Sequence, residues 1–334
     1  MKSVAAQVPT ARAMQVARPN SLMIERGGTN DASLQPVVPL RRPRWLPESV
    51  WPFETTSIDL DGASIAIAEV GKGPTLLFYT GIGAFVWRDV MLRLSGGFRC
   101  VVVDPPGIGM SAPVPRTSLT LENSARALNA VIRALDLRGF TLVAHDTGAP
   151  PAIAAAARTP ERIRALVSVN SFGWKPAGRP FRGMLAVMGS GVVRRIDLLT
   201  GAIARITSTS FGVGRLLDEA SRRAYRAGLL QELGAFHDYL REARFSDEVY
   251  DEVTGALTGP FRTLPLLTIF GEKNDPLGFQ PQWKRLFPDA RQVTVPKGNH
   301  FPMCDDPDLV ARSIGDWHRA VVSISTSSQA RMKP

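Results

Sequence analysis

From Ser57 onward, apolar and polar residues alternate: Ser57-Ile-Asp-Leu-Asp-Gly62 runs into Ala63-Ser-Ile-Ala-Ile-Ala68. A period of two puts every second side chain on one face, so the two runs predict an antiparallel hairpin turning at Asp61-Gly62. Beyond it the pattern changes. Short, largely apolar runs at Thr75–Tyr79, Phe98–Asp104, Phe140–Ala144, Ile163–Asn170, Pro265–Phe270 and Arg291–Val295 read as strands. Helical segments fall between or after them, near Trp87–Leu94, over Leu119–Leu135, in the alanine-rich stretch to Ala157, near Pro281–Leu286, and from Asp306-Pro307 to about Val321. Strands without alternation, separated by helices, imply a mostly parallel sheet covered on both faces.

The alternation is interrupted twice. Residues 171–258 are helical throughout and carry Met184, Met188, Leu198, Leu199, Ile203 and Ile206. They read as a cap inserted between two parts of a core domain, 51–170 and 259–322, with its apolar residues packed on that domain or lining a cavity. Residues 1–50 show no period and are rich in proline, arginine and small polar residues. They read as a disordered or loosely docked extension fastened near its end by Trp45, Trp51 and Phe53. Residues 323–334 read as a flexible tail.

Composition narrows the function. The chain has 334 residues, 44% of them hydrophobic, and a net charge of +10. Half of that charge lies in the first 44 residues, leaving about +5 spread over the remainder. Charge so diffuse does not describe a nucleic-acid footprint. The N-terminus has no apolar core of the kind an export signal needs, and no apolar run approaches the about 18 residues of a membrane span. Cys100 and Cys304 form neither a disulfide framework nor a metal-binding spacing. A cytoplasmic protein without metal or cofactor is expected.

The chemistry gathers at Thr141–Ala157, TLVAHDTGAPPAIAAAA. The apolar strand stops at His145-Asp146-Thr147-Gly148, and Pro150-Pro151 is tolerated only in the first turn of a helix, so Asp146 falls on a tight strand-to-helix turn. Ala144 and Gly148 flank it with little bulk, as a nucleophile elbow requires. A carboxylate at the apex is already ionised at neutral pH and can displace a leaving group from saturated carbon, leaving an ester. The alternative is a helix-capping aspartate. Asp146, Asp275 and His300 then lie at ends of successive strands, in the chain order nucleophile, acid, histidine.

These residues resemble the haloalkane dehalogenase and epoxide hydrolase branch of the α/β-hydrolases. The resemblance runs from about Ile58 to Trp317 and rests on His145-Asp146-x-Gly148, Ser168–Pro176, Gly271–Gly278 and Gly298–Pro307. It implies an α/β-hydrolase fold, a mostly parallel sheet with an antiparallel N-terminal hairpin and an inserted helical cap. It also implies that Asp146 attacks a small apolar electrophile and that His300, oriented by Asp275, activates water against the ester. Backbone N–H groups of Thr147 and Ile82 would form the oxyanion hole. Thr147 stands where relatives carry a halide-binding tryptophan, and Thr80–Gly83 has no side-chain amide, which leaves Trp174 and Asn170 as candidate leaving-group contacts. Epoxide opening would instead need a cap tyrosine as acid, and Tyr225 lies in a segment resembling one; packing is its other reading. His145, His237 and His318 are read as bystanders, His145 facing away from the site and His318 on an exposed helix. The leading expectation is a carbon–halogen hydrolase. An epoxide hydrolase and a non-catalytic protein binding an apolar ligand under the cap are the alternatives.

Overall fold

The computed structural model describes residues 37–322 apart from Asp61 and Ala177. Most of the expected extension, the expected tail and one residue of the hairpin turn therefore lie outside the described residues. The first strands are β1 (Val38–Pro39), β2 (Thr55–Leu60), β3 (Ala63–Val70) and β4 (Thr75–Thr80), followed by α1 (Arg88–Leu94), β5 (Arg99–Val103) and α2 (Leu121–Ala134). Then come β6 (Phe140–His145), α3 (Ala149–Ala157) and β7 (Ile163–Val169). Five helices intervene before the next strand: α4 (Arg179–Met188), α5 (Gly191–Thr200), α6 (Ala202–Thr207), α7 (Glu219–Glu242) and α8 (Asp247–Thr258). The chain closes with β8 (Leu266–Gly271), α9 (Phe279–Leu286), β9 (Arg291–Val295), α10 (Pro302–Asp305) and α11 (Pro307–Trp317).

The nine strands form one sheet in the order β1-β2-β3-β5-β4-β6-β7-β8-β9. Pairing is antiparallel from β1 to the β3/β5 junction and parallel from there on. Beyond β4 the chain first moves to one side, to β5, and then crosses to the other, to β6. The crevice at the carboxyl ends of β4 and β6 is thus a topological switch point, where α/β sheets place their ligands. Two apolar clusters cover the sheet. One packs α2, α3 and α8 on one face, through residues such as Leu128, Ile153 and Val253. The other packs α1 and α11 on the opposite face, through Val90, Met91 and Ile314.

The boundary expected at residue 50 falls inside the packed fold. Val38 and Pro39 pair with β2, and the Arg42 guanidinium donates to the Trp51 carbonyl. Leu46, Val50, Trp51 and Phe53 are buried, while Trp45 lies against Gly228 of α7. His318 also differs from expectation: it is buried, with its ring edge-on to Phe98 at 5.1 Å.

The inserted helices depart from their apolar pattern. Starting at its C-terminal end, α7 meets Gly189 near Arg241, α5 near His237 and Gly234, Gly201 near Leu230, and Ser208 near Arg226. The layer α4–α6 therefore runs antiparallel along one side of α7. Yet Met184, Leu198, Leu199 and Ile206, expected to pack inward or line a cavity, are exposed. In α5 the one buried residue is its acid, Asp197, which accepts a hydrogen bond from the Ile203 N–H at 2.9 Å and faces His237 Nε2 at 3.0 Å.

Candidate active site

At the end of β6 the backbone turns sharply, and Asp146 adopts φ of +50°. A left-handed non-glycine residue costs about 1–2 kcal/mol, and aspartate is among those that tolerate it best. Two local features hold the turn. Gly148 packs directly on β4: an added Cβ would lie 2.3 Å from the Thr80 carbonyl carbon and 2.6 Å from Gly81 N. Pro150 and Pro151 then start α3 where no N–H donors are needed. The carboxylate is lifted to the carboxyl edge of the sheet, with 27% of its side chain exposed.

His300 arrives from the loop after β9, and its Nε2 stands 3.6 Å from Asp146 Oδ2. That is longer than a direct hydrogen bond, so the pair is close without being locked. The Thr147 hydroxyl donates to the same oxygen at 3.2 Å. Partial burial alone would push the Asp146 carboxyl up, but the positive charge of the nearby His300 and the hydrogen bond from the Thr147 main chain outweigh it and hold it at about 2. Asp146 is therefore ionised throughout the neutral range.

The loop carrying His300 is pinned from below. Asn170, itself at φ of +39°, donates from Nδ2 to the carbonyls of Asn299 and His300, 3.0 Å each, and accepts the Gly271 N–H at 2.9 Å. His145 is no bystander. Its Nε2 lies 3.0 Å from the His300 carbonyl, which can only accept, so Nε2 carries the proton. Burial, with the nearby His300 charge, lowers His145 to about 4, so the ring is neutral and its Nδ1 accepts from the Thr80 hydroxyl at 3.1 Å.

The third expected member is elsewhere. Asp275 accepts the N–H groups of Phe279 at 2.6 Å and Gln280 at 3.0 Å, and so caps the start of α9. The residue beside His300 Nδ1 is the preceding one, Asn274, with its side-chain amide at 3.2 Å. The cause is the turn after β8, which closes from the Asn274 N–H to the Gly271 carbonyl at 3.0 Å and brings the fourth residue of Gly271-Glu-Lys-Asn, not the fifth, under the imidazole. An amide presents either Nδ2–H or Oδ1 by rotating in place, and so can back either neutral tautomer of His300. Unlike a carboxylate, it adds no charge to stabilise an imidazolium.

The other candidates sort by position. Thr147 and Ile82 lie at the facing ends of β6 and β4, and a Cβ on Gly81 would fall 2.3 Å from Thr147 Oγ1, so the two loops touch. Tyr225 packs against Phe85, ring centres 5.9 Å apart, with Thr207 at its hydroxyl. The tyrosines that feel the Asp146 charge are Tyr239 and Tyr250. Tyr239 donates to the Thr147 carbonyl at 3.2 Å, and Tyr250 to the Ala243 carbonyl at 2.8 Å. Trp174 packs tilted against Trp283 and edge-on to Phe279, ring centres 5.1 and 5.6 Å apart, and Asn170 is committed to the His300 loop.

Two buried acids that the sequence did not single out tie the loops together. Asp104, at the end of β5, accepts from Ala84 N at 2.6 Å and Met110 N at 2.8 Å. Glu232 of α7 accepts from Gly83 N and Gly109 N, and so fastens the inserted helices to the loop that holds Ile82. Burial pushes Asp104 up to about 6 and, with Asp104 nearby, Glu232 up to about 7.

Known proteins resemble this chain in sequence and fold. A family described as alpha/beta hydrolase fold covers residues 74–307. Haloalkane dehalogenase 2 of Mycobacterium tuberculosis is 25% identical over 280 residues, 79% of this chain and 95% of that protein. The 2-(acetamidomethylene)succinate hydrolase of Mesorhizobium japonicum is 32% identical over 275 residues, again 79% and 95%. Among solved structures, a loop variant of the haloalkane dehalogenase DbeA from Bradyrhizobium elkanii superposes with a TM-score of 0.70 at 22% identity, covering 83% of this chain and 99% of that one. The chain belongs to the alpha/beta hydrolase fold family and is a hydrolase.

Proposed function

We propose that the protein hydrolyses a carbon–halogen bond in a small apolar substrate through an ester on Asp146. The observation that carries this reading is the ionised Asp146 carboxylate on its left-handed turn, 3.6 Å from His300 Nε2. A carboxylate so exposed, with no proton to lose, suits attack on saturated carbon. The carbon–oxygen bond forms as the carbon–halogen bond breaks and halide leaves. Water, giving a proton to His300, then attacks the ester carbonyl; acyl–oxygen cleavage expels the alkoxide, which takes that proton back from His300 and leaves as the alcohol, and Asp146 returns to its carboxylate by losing the remaining proton to solvent. Main-chain N–H groups of Thr147 and Ile82 are the donors for the oxyanion. Similarity to the haloalkane dehalogenase 2 of Mycobacterium tuberculosis supports the substrate class.

A second reading, epoxide opening, is favoured by one observation. The Tyr239 hydroxyl lies at the elbow itself, donating to the Thr147 carbonyl at 3.2 Å, and a phenol there could turn its proton to the ring oxygen. His300→Ala tests the common step: on the peptide containing Asp146 it gains the mass of the alkyl group with bromoalkanes and the mass of the whole epoxide, as a hydroxyalkyl ester, with epoxides. Bromide release against diol formation by the wild type separates the two readings. A variant that never gains mass with either class would overturn both.

A further inference from the structure

We propose that the outward face of α4, α5 and α6 docks on an anionic lipid surface. Helix α5 is inside out. A helix on a globular protein buries its apolar stripe and shows its charges. Here Asp197 is buried against His237, while Val192, Ile196 and Leu199, spaced by four and three residues along one stripe, are 69%, 55% and 88% exposed. The polar docking of α5 on α7 fixes this orientation, because turning the stripe inward would expel the Asp197–His237 pair. Later in the same insertion, Ile206 and Phe211 are also apolar and 58% and 79% exposed.

Charge identifies the occupant. Between Lys175 and Leu217 the chain has a single acidic residue, the buried Asp197. Arg179, Arg182, Arg195 and Arg205 are exposed and form no ion pair among the described residues. A second copy would bring the same arginines to the contact. Residues 1–36 carry Lys2, Arg12, Arg18 and Arg26 against Glu25 and Asp31, so they too are positive. Both occupants meet like charge. Aliphatic side chains interleaved with arginine on one helix face match an interface of anionic headgroups over acyl chains. No helix among the described residues is long and apolar enough to cross a membrane, so the contact is with one leaflet. The docking is independent of the chemistry at Asp146, and it would present apolar compounds dissolved in the bilayer to the inserted helices.

The test uses the full chain and sedimentation with vesicles of phosphatidylcholine alone or mixed with phosphatidylglycerol. The wild type is expected to bind the mixed vesicles, to release as salt rises, and to leave pure phosphatidylcholine largely unbound. R195Q/R205Q lowers the partition coefficient about fivefold for each arginine removed. I196S/L199S lowers it about tenfold or more, with the melting temperature little changed because both side chains are more than half exposed. Failure of the wild type to bind mixed vesicles would overturn the proposal. So would equal binding by both variants, which would move the contact to another basic segment. A wild-type dimer in gel filtration that I196S/L199S converts to monomer would replace the lipid with a second copy.

Discussion

Asn274→Asp probes the active site at its least expected residue. The amide lies 3.2 Å from His300 Nδ1, and a carboxylate of nearly the same shape would occupy its place. It would hold the proton on Nδ1, leave the Nε2 lone pair toward Asp146, and stabilise the cation that forms when Nε2 takes a proton from water. Unit charges centred about 5 Å apart interact by about 3 kcal/mol at an effective dielectric of about 20. The His300 side chain is 34% exposed, and solvent screening reduces the gain to about 1.4–2 kcal/mol, or about ten- to thirtyfold in rate. The assay is a single-turnover experiment with a bromoalkane, following by mass spectrometry how the Asp146 ester appears and decays. Ester formation, which does not use His300 as base, is expected at the wild-type rate, and decay about ten- to thirtyfold faster. Unchanged or slower decay, in a variant with the wild-type melting temperature, would refute the argument that the backing of His300 limits hydrolysis.

Other perturbations follow from the same geometry. Gly148→Ala drives a Cβ into the Thr80 backbone and is expected to cost about 1–3 kcal/mol or more and to abolish ester formation, read by denaturant unfolding and the trapping assay. Glu232 is raised from its ordinary value to about 7 in the fold, so between about pH 4.5 and 7 the folded state binds more protons than the unfolded one and Glu232 weakens folding as pH rises. His145, lowered to about 4, acts oppositely, removing stability as pH falls below about 6.5. The difference between Glu232→Gln and wild type isolates the first effect: the variant's melting temperature should gain on the wild type from pH 5 to pH 8, and a constant difference would count against it. Tyr239→Phe removes the donor to the Thr147 carbonyl and should cost about 1 kcal/mol; loss of diol formation with bromide release intact would assign it to epoxide chemistry alone.

The sheet and the placement of Asp146 beside His300 were legible because strand ends are marked by breaks in periodicity and by glycine and proline. What failed did so for local reasons. Asp275 and Asn274 differ by one position, and only the closure of the turn on Gly271 decides which faces the ring and which caps α9. Tyr225 and Tyr239 are 14 residues apart on α7, nearly one face but about 21 Å along the axis. Periodicity gives the face and not which end overlies the elbow. In α5, apolar spacing predicts an inward stripe, and a buried Asp–His pair reverses it. His145 was misjudged because its partner is a backbone carbonyl 155 residues away, which no pattern reveals.

Helix α7 is an unbroken rod of 24 residues, and within two turns of it Glu232 reaches the β4 and β5 loops, His237 meets α5, and Tyr239 touches Thr147. Inserting one residue between 232 and 239 would swing everything beyond it by about 100° and slide it by about 1.5 Å. Grafting these helices onto a related core would therefore succeed only if that phase is kept, because the bar that carries the outer layer also sets the phenol over the elbow.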